Sequence, residues 1–429
     1  MFNHCFQIDA LSIVMITLIM FVFISIAAFS KNYLDGDRKK TGLYLYLSGL
    51  FCSLFCLVTA NHLAIFFTFW CASNLFVILM MKYRSQWSAA QESAKLATIN
   101  YAIGAVAIAV SFILIYQTTG TLYIHEIIKI DVHPGALILL IFAALSQSAL
   151  WPFHQWLLSS LNSSTPVSAI MQAALINSGG FLLLRFASLF LQATWTLTII
   201  FILGITTALL AGFWQLVQTD IKRLLTCSTI AHMGFVLVQC GLGLFSAAVA
   251  HIFWHALFKT YLFLAAAGAA QRKRIQYPAP HFIEFFLTLG CGILAAYSFT
   301  SVMGVPFFSM HTDLFITILL IMAGAQLSLP LVTKQKTLKV LAFIAAPCVG
   351  AWYALSIITI QRYFPLYQPV PITIIHAVAF FILIAAWLFI LFERHKKQAN
   401  WFLRLYMYMI HASQPHKKTI TADRNQYRW

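Results

Sequence analysis

Apolar runs long enough to cross a bilayer recur from one end of this chain to the other, and they constrain its fold more than any other feature. A membrane helix needs about 20 mostly apolar residues. Runs of that kind occupy 8–30, 42–60, 62–81, 96–117, 135–152, 166–187, 194–217, 224–241, 246–269, 284–304, 313–332, 338–360 and 371–392 of the 429 residues. They are continuously apolar rather than alternating, which predicts an all-α polytopic membrane protein of about 13 transmembrane helices instead of a barrel. Hydrophobic residues make up 61% of the chain and charged residues 9%, whereas soluble domains carry about a quarter charged residues. A soluble enzyme, a disordered chain and a secreted disulfide scaffold are therefore excluded together.

The formal charge of +16 has a topological explanation. Residues 1–30 hold no Lys or Arg, and Lys31, Arg38, Lys39 and Lys40 follow the first run; a cleaved signal has the reverse order. With thirteen spans, every one of the 27 Lys and Arg residues falls on one side except Lys129 and Arg362 on the other and Arg185 and Lys259 within spans. The positive-inside rule then predicts an N-terminus outside and a C-terminus in the cytoplasm. The excess charge needs no nucleic-acid partner. Seven of the eight cysteines, all but Cys5, lie in or beside apolar runs and read as small buried hydrophobes, with no CxxC pair. P-loop, dinucleotide and nucleophile-elbow motifs are absent, which points to a transporter subunit rather than an enzyme.

Ionisable residues inside a membrane are rare and usually functional. The run AAVAHIFWHALFKTYLFLAAAG carries His251, His255 and Lys259 at steps of four, a stripe about 12 Å long near one helix face. Histidines exchange protons near neutrality, and Lys259 is too deep to snorkel to either surface. Three such groups on one stripe read as proton-exchanging sites. No metal is expected: His251 and His255 have ligand spacing, but position 252 is Ile and the H-E-x-x-H pattern is missing. The preceding span adds His232 and Gln239, after a polar cluster that includes Asp220 and Lys222. The sixth span opens at Thr165-Pro166 and contains Gln172, Asn177 and the Gly179-Gly180 pair; Gln147 is the centre of a polar Ser146-Gln147-Ser148 group in the fifth. Close packing explains the glycines but not the amides. In the last four spans, Glu284 and Asp313 sit at run ends, and His376 reads as a packing residue. Trp401–Met409 reads as an interfacial amphipathic helix, and the polar segment from Gln414 is expected to be mobile.

Three stretches carry a family resemblance. WPFHQWLLSSLNSSTPVSAIMQAALINSGGFLLLR (151–185), QTDIKRLLTCSTIAHMGF (218–235) and AHIFWHALFKTYLFLAAAG (250–268) resemble, in order, the central motifs of the proton-conducting membrane subunits of respiratory complex I and Mrp-type antiporters. The resemblance implies an antiporter-like core with a helix broken near Thr165 and Pro166 and a hydrated polar axis. It also implies that His251, His255 and Lys259 move protons. Where the family carries a Lys, a Glu and a common His, this chain has Gln147, Cys71 and Gln172. The short chain resembles most the membrane subunit of Dab-type inorganic carbon transporters. That implies a bacterial inner-membrane protein, without a cofactor, working with a large cytoplasmic zinc-containing partner similar to carbonic anhydrase.

The resulting expectation is a four-part chain: N-terminal helices over 1–60, a conducting core over 61–270, C-terminal helices over 271–392 and a basic tail over 393–429. Protons would enter through Lys259, His255 and His251 and leave past His232 toward Asp220 and Lys222. Gln147, Gln172, Asn177 and Gln239 would form the polar axis and hold water. Two other readings stand beside it: an accessory subunit of a redox complex or multisubunit cation/proton antiporter, and a membrane scaffold.

Overall fold

The computed structural model describes residues 5–37, 39–83, 86–271, 281–333, 336–393 and 400–419. Arg38, Arg84, Arg272, Lys273, Arg274 and Lys334 of the one-sided charge pattern lie outside them, as do Arg394, Lys396, Lys397, Arg424 and Arg428 of the tail. Among the described residues, 11 helices are long and apolar enough to span a membrane, and two shorter apolar helices accompany them. They run in the order α1 Ala10–Tyr33, α2 Lys40–Thr59, α3 Leu63–Met81, α4 Ser88–Thr119, α5 Pro134–Gln147, α6 Thr165–Arg185, α7 Thr194–Val217, α8 Ile221–Gly241, α9 Phe245–Ala265, α10 Phe282–Met303, α11 Asp313–Val332, α12 Lys336–Tyr363 and α13 Ile374–Glu393. A further helix, α14, covers Asn400–Ala412. Each of the thirteen expected runs holds a helix, α1–α13, and eleven of these are long and apolar enough to span a membrane. The fifth and last are shorter than their apolar runs: α5 ends at Gln147, before Ala149 turns to φ 51°, and α13 starts after Pro369 and Pro371, which deny the backbone its N–H donors.

Contacts divide the chain into two compact units, Met1–Gly241 with His251–Arg272 and Arg404–Trp429, and Leu242–Ala250 with Lys273–Leu403. In the first, α6 is buried along its whole apolar stretch. Arg185, at its C-terminal end, is held by the Asp9 carboxylate, the Ser12 hydroxyl at 3.1 Å and the Val58 carbonyl. Asp9 also caps α1 through the Ser12 amide at 2.8 Å. One cation therefore ties the ends of α1, α2 and α6, which accounts for a charge that the apolar pattern alone leaves unexplained. Helices α7 and α8 meet backbone to backbone. A Cβ on Gly204 would stand 2.7 Å from the Val238 nitrogen, one on Gly234 2.7 Å from the Ala208 nitrogen, and one on Gly241 2.5 Å from the Phe201 nitrogen. Small residues are what let membrane helices approach this closely.

In the second unit, α10 packs against α11 at Gly292 and against α12 at Gly350, where added Cβ atoms would strike the Ile321 and Ala295 carbonyls. Residues 364–371 pair with the segment around Leu244 and with His311. The Gln368 amide donates to Gly243 O at 2.9 Å, and Gly243 has φ +76° with Gln368 O where a Cβ would fall. Glu284 and Asp313 take part in helix starts, Glu284 in a capping box with His281. His376 Nδ1 accepts from the Thr373 amide at 3.1 Å, a structural role at the start of α13. The cysteines depart from expectation. Cys227, Cys240 and Cys291 are buried, whereas Cys52 and Cys348 lie on exposed helix faces.

The tail departs from expectation as well. The helix expected over Trp401–Met409 is present as α14, but Gln414–Thr419 is packed rather than mobile; the rest of the segment expected to be mobile, 420–429, lies outside the described residues. Gln218 Nε2 donates to Ser413 Oγ at 2.7 Å, the His416 amide to Ser159 Oγ at 3.0 Å and Asn162 Nδ2 to the Thr419 carbonyl at 2.9 Å. His154 stacks on Trp214 and reaches the Ala412 carbonyl at 3.3 Å. The strap satisfies polar groups of the irregular turn ahead of α6, which have no helix to pair within.

Burial pushes the His154 ring below its ordinary titration range, against a smaller opposing effect of its carbonyl contacts. The folded state thus favours the neutral ring, while an unfolded histidine protonates below about pH 6.5. Docking of the strap is complete above that pH and weakens as pH falls below it. Amide exchange of residues 412–419 should rise between pH 7.5 and 5.5, and His154→Gln, which still donates but does not titrate, should flatten that response.

Candidate functional site

Five of the side chains singled out in the sequence, His232, Gln239, His251, His255 and Lys259, gather where α8 meets α9, all within the first unit. On α9, four-residue spacing puts His251, His255 and Lys259 along one face; α8 supplies His232 and Gln239. His251 Nδ1 lies 3.1 Å from Gln239 Oε1, and its Nε2 lies 3.2 Å from His232 Nδ1. A carbonyl oxygen only accepts, so His251 Nδ1 carries the hydrogen. In the neutral ring Nε2 then accepts from His232 Nδ1–H. The three groups thus have one consistent direction of donation, from His232 through His251 to Gln239.

His255 lies 5.4 Å from His232 and 6.4 Å from His251, centroid to centroid. It is 5% exposed, and neither ring nitrogen has a hydrogen-bond partner. Lys259 is fully buried and donates from Nζ to the Leu225 carbonyl at 3.1 Å. The next residue, Thr226, accepts from Gln172 Nε2 at 3.0 Å, so the α8 backbone links the lysine to α6. The group contains acceptors and donors that titrate, and these hydrogen bonds join it to no carboxylate among the described residues.

The order along α8 differs from the expected one. Lys259 meets Leu225, nearer the N-terminal end of α8, while His232 sits between His251 and His255. Lys259, not His232, is therefore the member nearest Asp220. Asp220 itself is exposed, and its Oδ1 accepts from the Arg223 amide at 2.9 Å, so it caps α8. Lys222 Nζ reaches the Ser163 carbonyl at 3.4 Å. Neither contacts the histidines. Asp220 is about 18 Å along the helix from His232 at 1.5 Å per residue.

Helix α6 is irregular in its interior. Thr165 and Pro166 open it after a 3-10 turn over Ser160–Asn162, and a π-turn covers Met171–Leu175. Gln172 lies in that turn, with Oε1 buried and unpartnered. Asn177 turns back to the Ala173 carbonyl at 2.7 Å, leaving Oδ1 buried without a partner. Ser148 Oγ donates to the Ile176 carbonyl at 2.7 Å. That contact needs Gly179, where a Cβ would stand 2.3 Å from Ser148 Oγ and 2.5 Å from Ala144 O. Gln147 exchanges two hydrogen bonds with Asn74 of α3, at 3.2 and 2.8 Å, rather than bonding to a histidine. Asn74 and Thr226 escape the sequence reading. A single amide within FWCASNLFVIL was the available signal for the first; Thr226 has none.

Residues 60–337 match the family described as NADH:quinone oxidoreductase/Mrp antiporter, TM. The chain is 32% identical over 280 residues to "Probable inorganic carbon transporter subunit DabB" of Bacillus anthracis, covering 63% of this chain and 54% of that protein. It is 30% identical over 286 residues to the corresponding DabB1 subunit of Halothiobacillus neapolitanus, covering 64% and 51%. With NADH-quinone oxidoreductase subunit L of Escherichia coli it shares 30% identity over 279 residues, covering 62% and 46%. This chain thus spans about half the length of the curated relatives it matches. Its fold is similar to a chain of the Mrp complex from Dietzia sp. DQ12-45-1b, with a TM-score of 0.58 over 94% of this chain and 48% of that one, at 22% identity.

The contact between α6 and α8 can be tested on stability alone. Thr226→Val keeps the shape but strands the buried Gln172 amide, which should cost about 1–3 kcal/mol and lower the thermal midpoint measured in detergent.

Proposed function

The chain belongs to the NADH:quinone oxidoreductase/Mrp antiporter transmembrane family, and on that premise we propose that it conducts protons to energise uptake of dissolved inorganic carbon. The observation that carries this reading is the buried titratable group of Lys259, His255, His232 and His251. A lysine with no exposed surface is costly in an apolar setting, about 2.5–3.5 kcal/mol on insertion scales. Packing alone does not call for three histidines beside it, one of them with both ring nitrogens unpartnered.

In this reading a proton moves along α9 by exchange among Lys259, His255, His232 and His251. His255 is the hinge of the relay, because its free nitrogens can each take a proton from one neighbour and give one to another. Gln239 orients His251 without titrating. Lys222 and Asp220 mark the end of α8 nearest Lys259, and in this reading the helix start at Thr165 and Pro166, with Gln172 and Asn177 in and just after the π-turn, supplies polar groups beside the path. The working unit includes a cytoplasmic, zinc-containing partner similar to carbonic anhydrase, in a bacterial inner membrane. The partner hydrates carbon dioxide, and proton movement through this chain drives the step in one direction. Support comes from the relatives named as inorganic carbon transporter subunits.

The similarity to subunit L favours a second reading, an accessory subunit of a redox complex or multisubunit antiporter. Copurification in mild detergent separates them: one large soluble zinc protein for the first, several further membrane subunits for the second.

Coexpressed with its partner, the chain should restore growth in air to a bacterium lacking carbonic anhydrase. Lys259→Ala and His255→Ala should each lower bicarbonate accumulation at least about tenfold, equivalent to ~1.4 kcal/mol, at unchanged protein level. Undiminished growth with Lys259→Ala would remove the assigned role.

A further inference from the structure

We propose that the Asn74–Gln147 amide pair is an uncharged stop that ends the proton path at the edge of α5 and confines conduction to α8 and α9. This rests on the proton-conducting reading above. Asn74 is 4% exposed and Gln147 2%. Asn74 Nδ2 donates to Gln147 Oε1 at 3.2 Å, and Gln147 Nε2 donates to Asn74 Oδ1 at 2.8 Å. The pair closes on itself: each carbonyl oxygen receives the other's N–H. Amides hydrogen-bond but neither gain nor lose a proton near neutral pH, so a ring of two of them passes none. In a low-dielectric interior such a ring is also hard to open.

The neighbouring residues terminate in the same way. Ser146 Oγ donates to the Asn100 carbonyl at 2.8 Å, and Asn100 Nδ2 donates to the Ser146 carbonyl at 2.8 Å. Ser148 Oγ donates to the Ile176 carbonyl. Three successive residues at the end of α5 therefore reach α4, α3 and α6 through hydrogens that finish on backbone or amide carbonyls. None of these acceptors carries a proton onward. The α8–α9 group is built the opposite way, from imidazoles and an amine that both accept and release protons, with both His255 nitrogens open. The polar residues of α3 and α5 thus fasten helices across the apolar interior without joining the conducting group.

The test uses the full chain with its partner, reconstituted in vesicles with an imposed pH gradient and a pH-sensitive dye. N74L/Q147L replaces both partners by apolar groups and should leave proton flux within twofold of the unaltered protein. A tenfold loss in a monodisperse protein of unchanged thermal midpoint would show that the pair relays protons, and would overturn the proposal. N74D/Q147K installs a pair that can titrate. It should add a pH-dependent component to the flux, and a flux identical to the unaltered protein at every pH would also overturn it; this variant decides the matter if the leucine pair fails to fold. Lys259→Ala is the control that keeps the two readings apart. Flux that persists in K259A defeats the conducting role of α9, whereas flux lost in K259A but kept in N74L/Q147L supports both.

Discussion

A fully buried lysine in a chain of 9% charged residues is the constraint on which the rest of the first unit depends. The Lys259 ammonium must find an acceptor or give up its proton, and it finds the Leu225 carbonyl on the facing helix. That contact works only if α8 is held at a fixed depth and rotation. The backbone-to-backbone packing of α7 on α8 at Gly204, Gly234 and Gly241 supplies the rigidity. The same fixed rotation brings His232 between His251 and His255, so packing through small residues and placement of titratable groups are one problem with one solution.

Helix α6 answers a different demand. Surrounded by protein, it has no lipid-facing side and tolerates polar atoms that a lipid-exposed helix would not. Its π-turn shifts the register of the hydrogen-bond ladder, and the Ser148 hydroxyl takes up the Ile176 carbonyl. Irregular backbone is thus stabilised by neighbours rather than by water. Gln172 and Asn177, each with one orphaned oxygen, lie in or just after this irregular stretch.

What could be read from the sequence follows the range of the interaction. Apolar runs define the spans because each helix satisfies its own backbone, so α1–α13 were legible. The His251, His255 and Lys259 stripe was legible for a similar reason: helical spacing alone aligns it. Partners on different helices were not. The choice of Asp9 for Arg185, of Asn74 for Gln147 and of Thr226 for Gln172 depends on tertiary packing, which no local pattern encodes. The order of Lys259 and His232 relative to Asp220 was hidden for the same reason, since it depends on how two helices slide past each other. The strap from Ser413 to Thr419 misled through composition. Its polar residues suggest solvent, yet they answer the unpaired groups of the turn ahead of α6.

The clamp on Arg185 bears on how the protein is made. Its carboxylate partner lies 176 residues earlier in the chain, which at 5–20 residues per second is about 9–35 s of synthesis. During that interval the start of α1 carries an acid whose cation does not yet exist. When α6 does arrive, its Arg185 meets partners on α1 and α2 that were made long before it. The first and sixth spans are therefore joined in time as well as in space: the clamp at the start of α1 cannot close until Arg185 has left the ribosome.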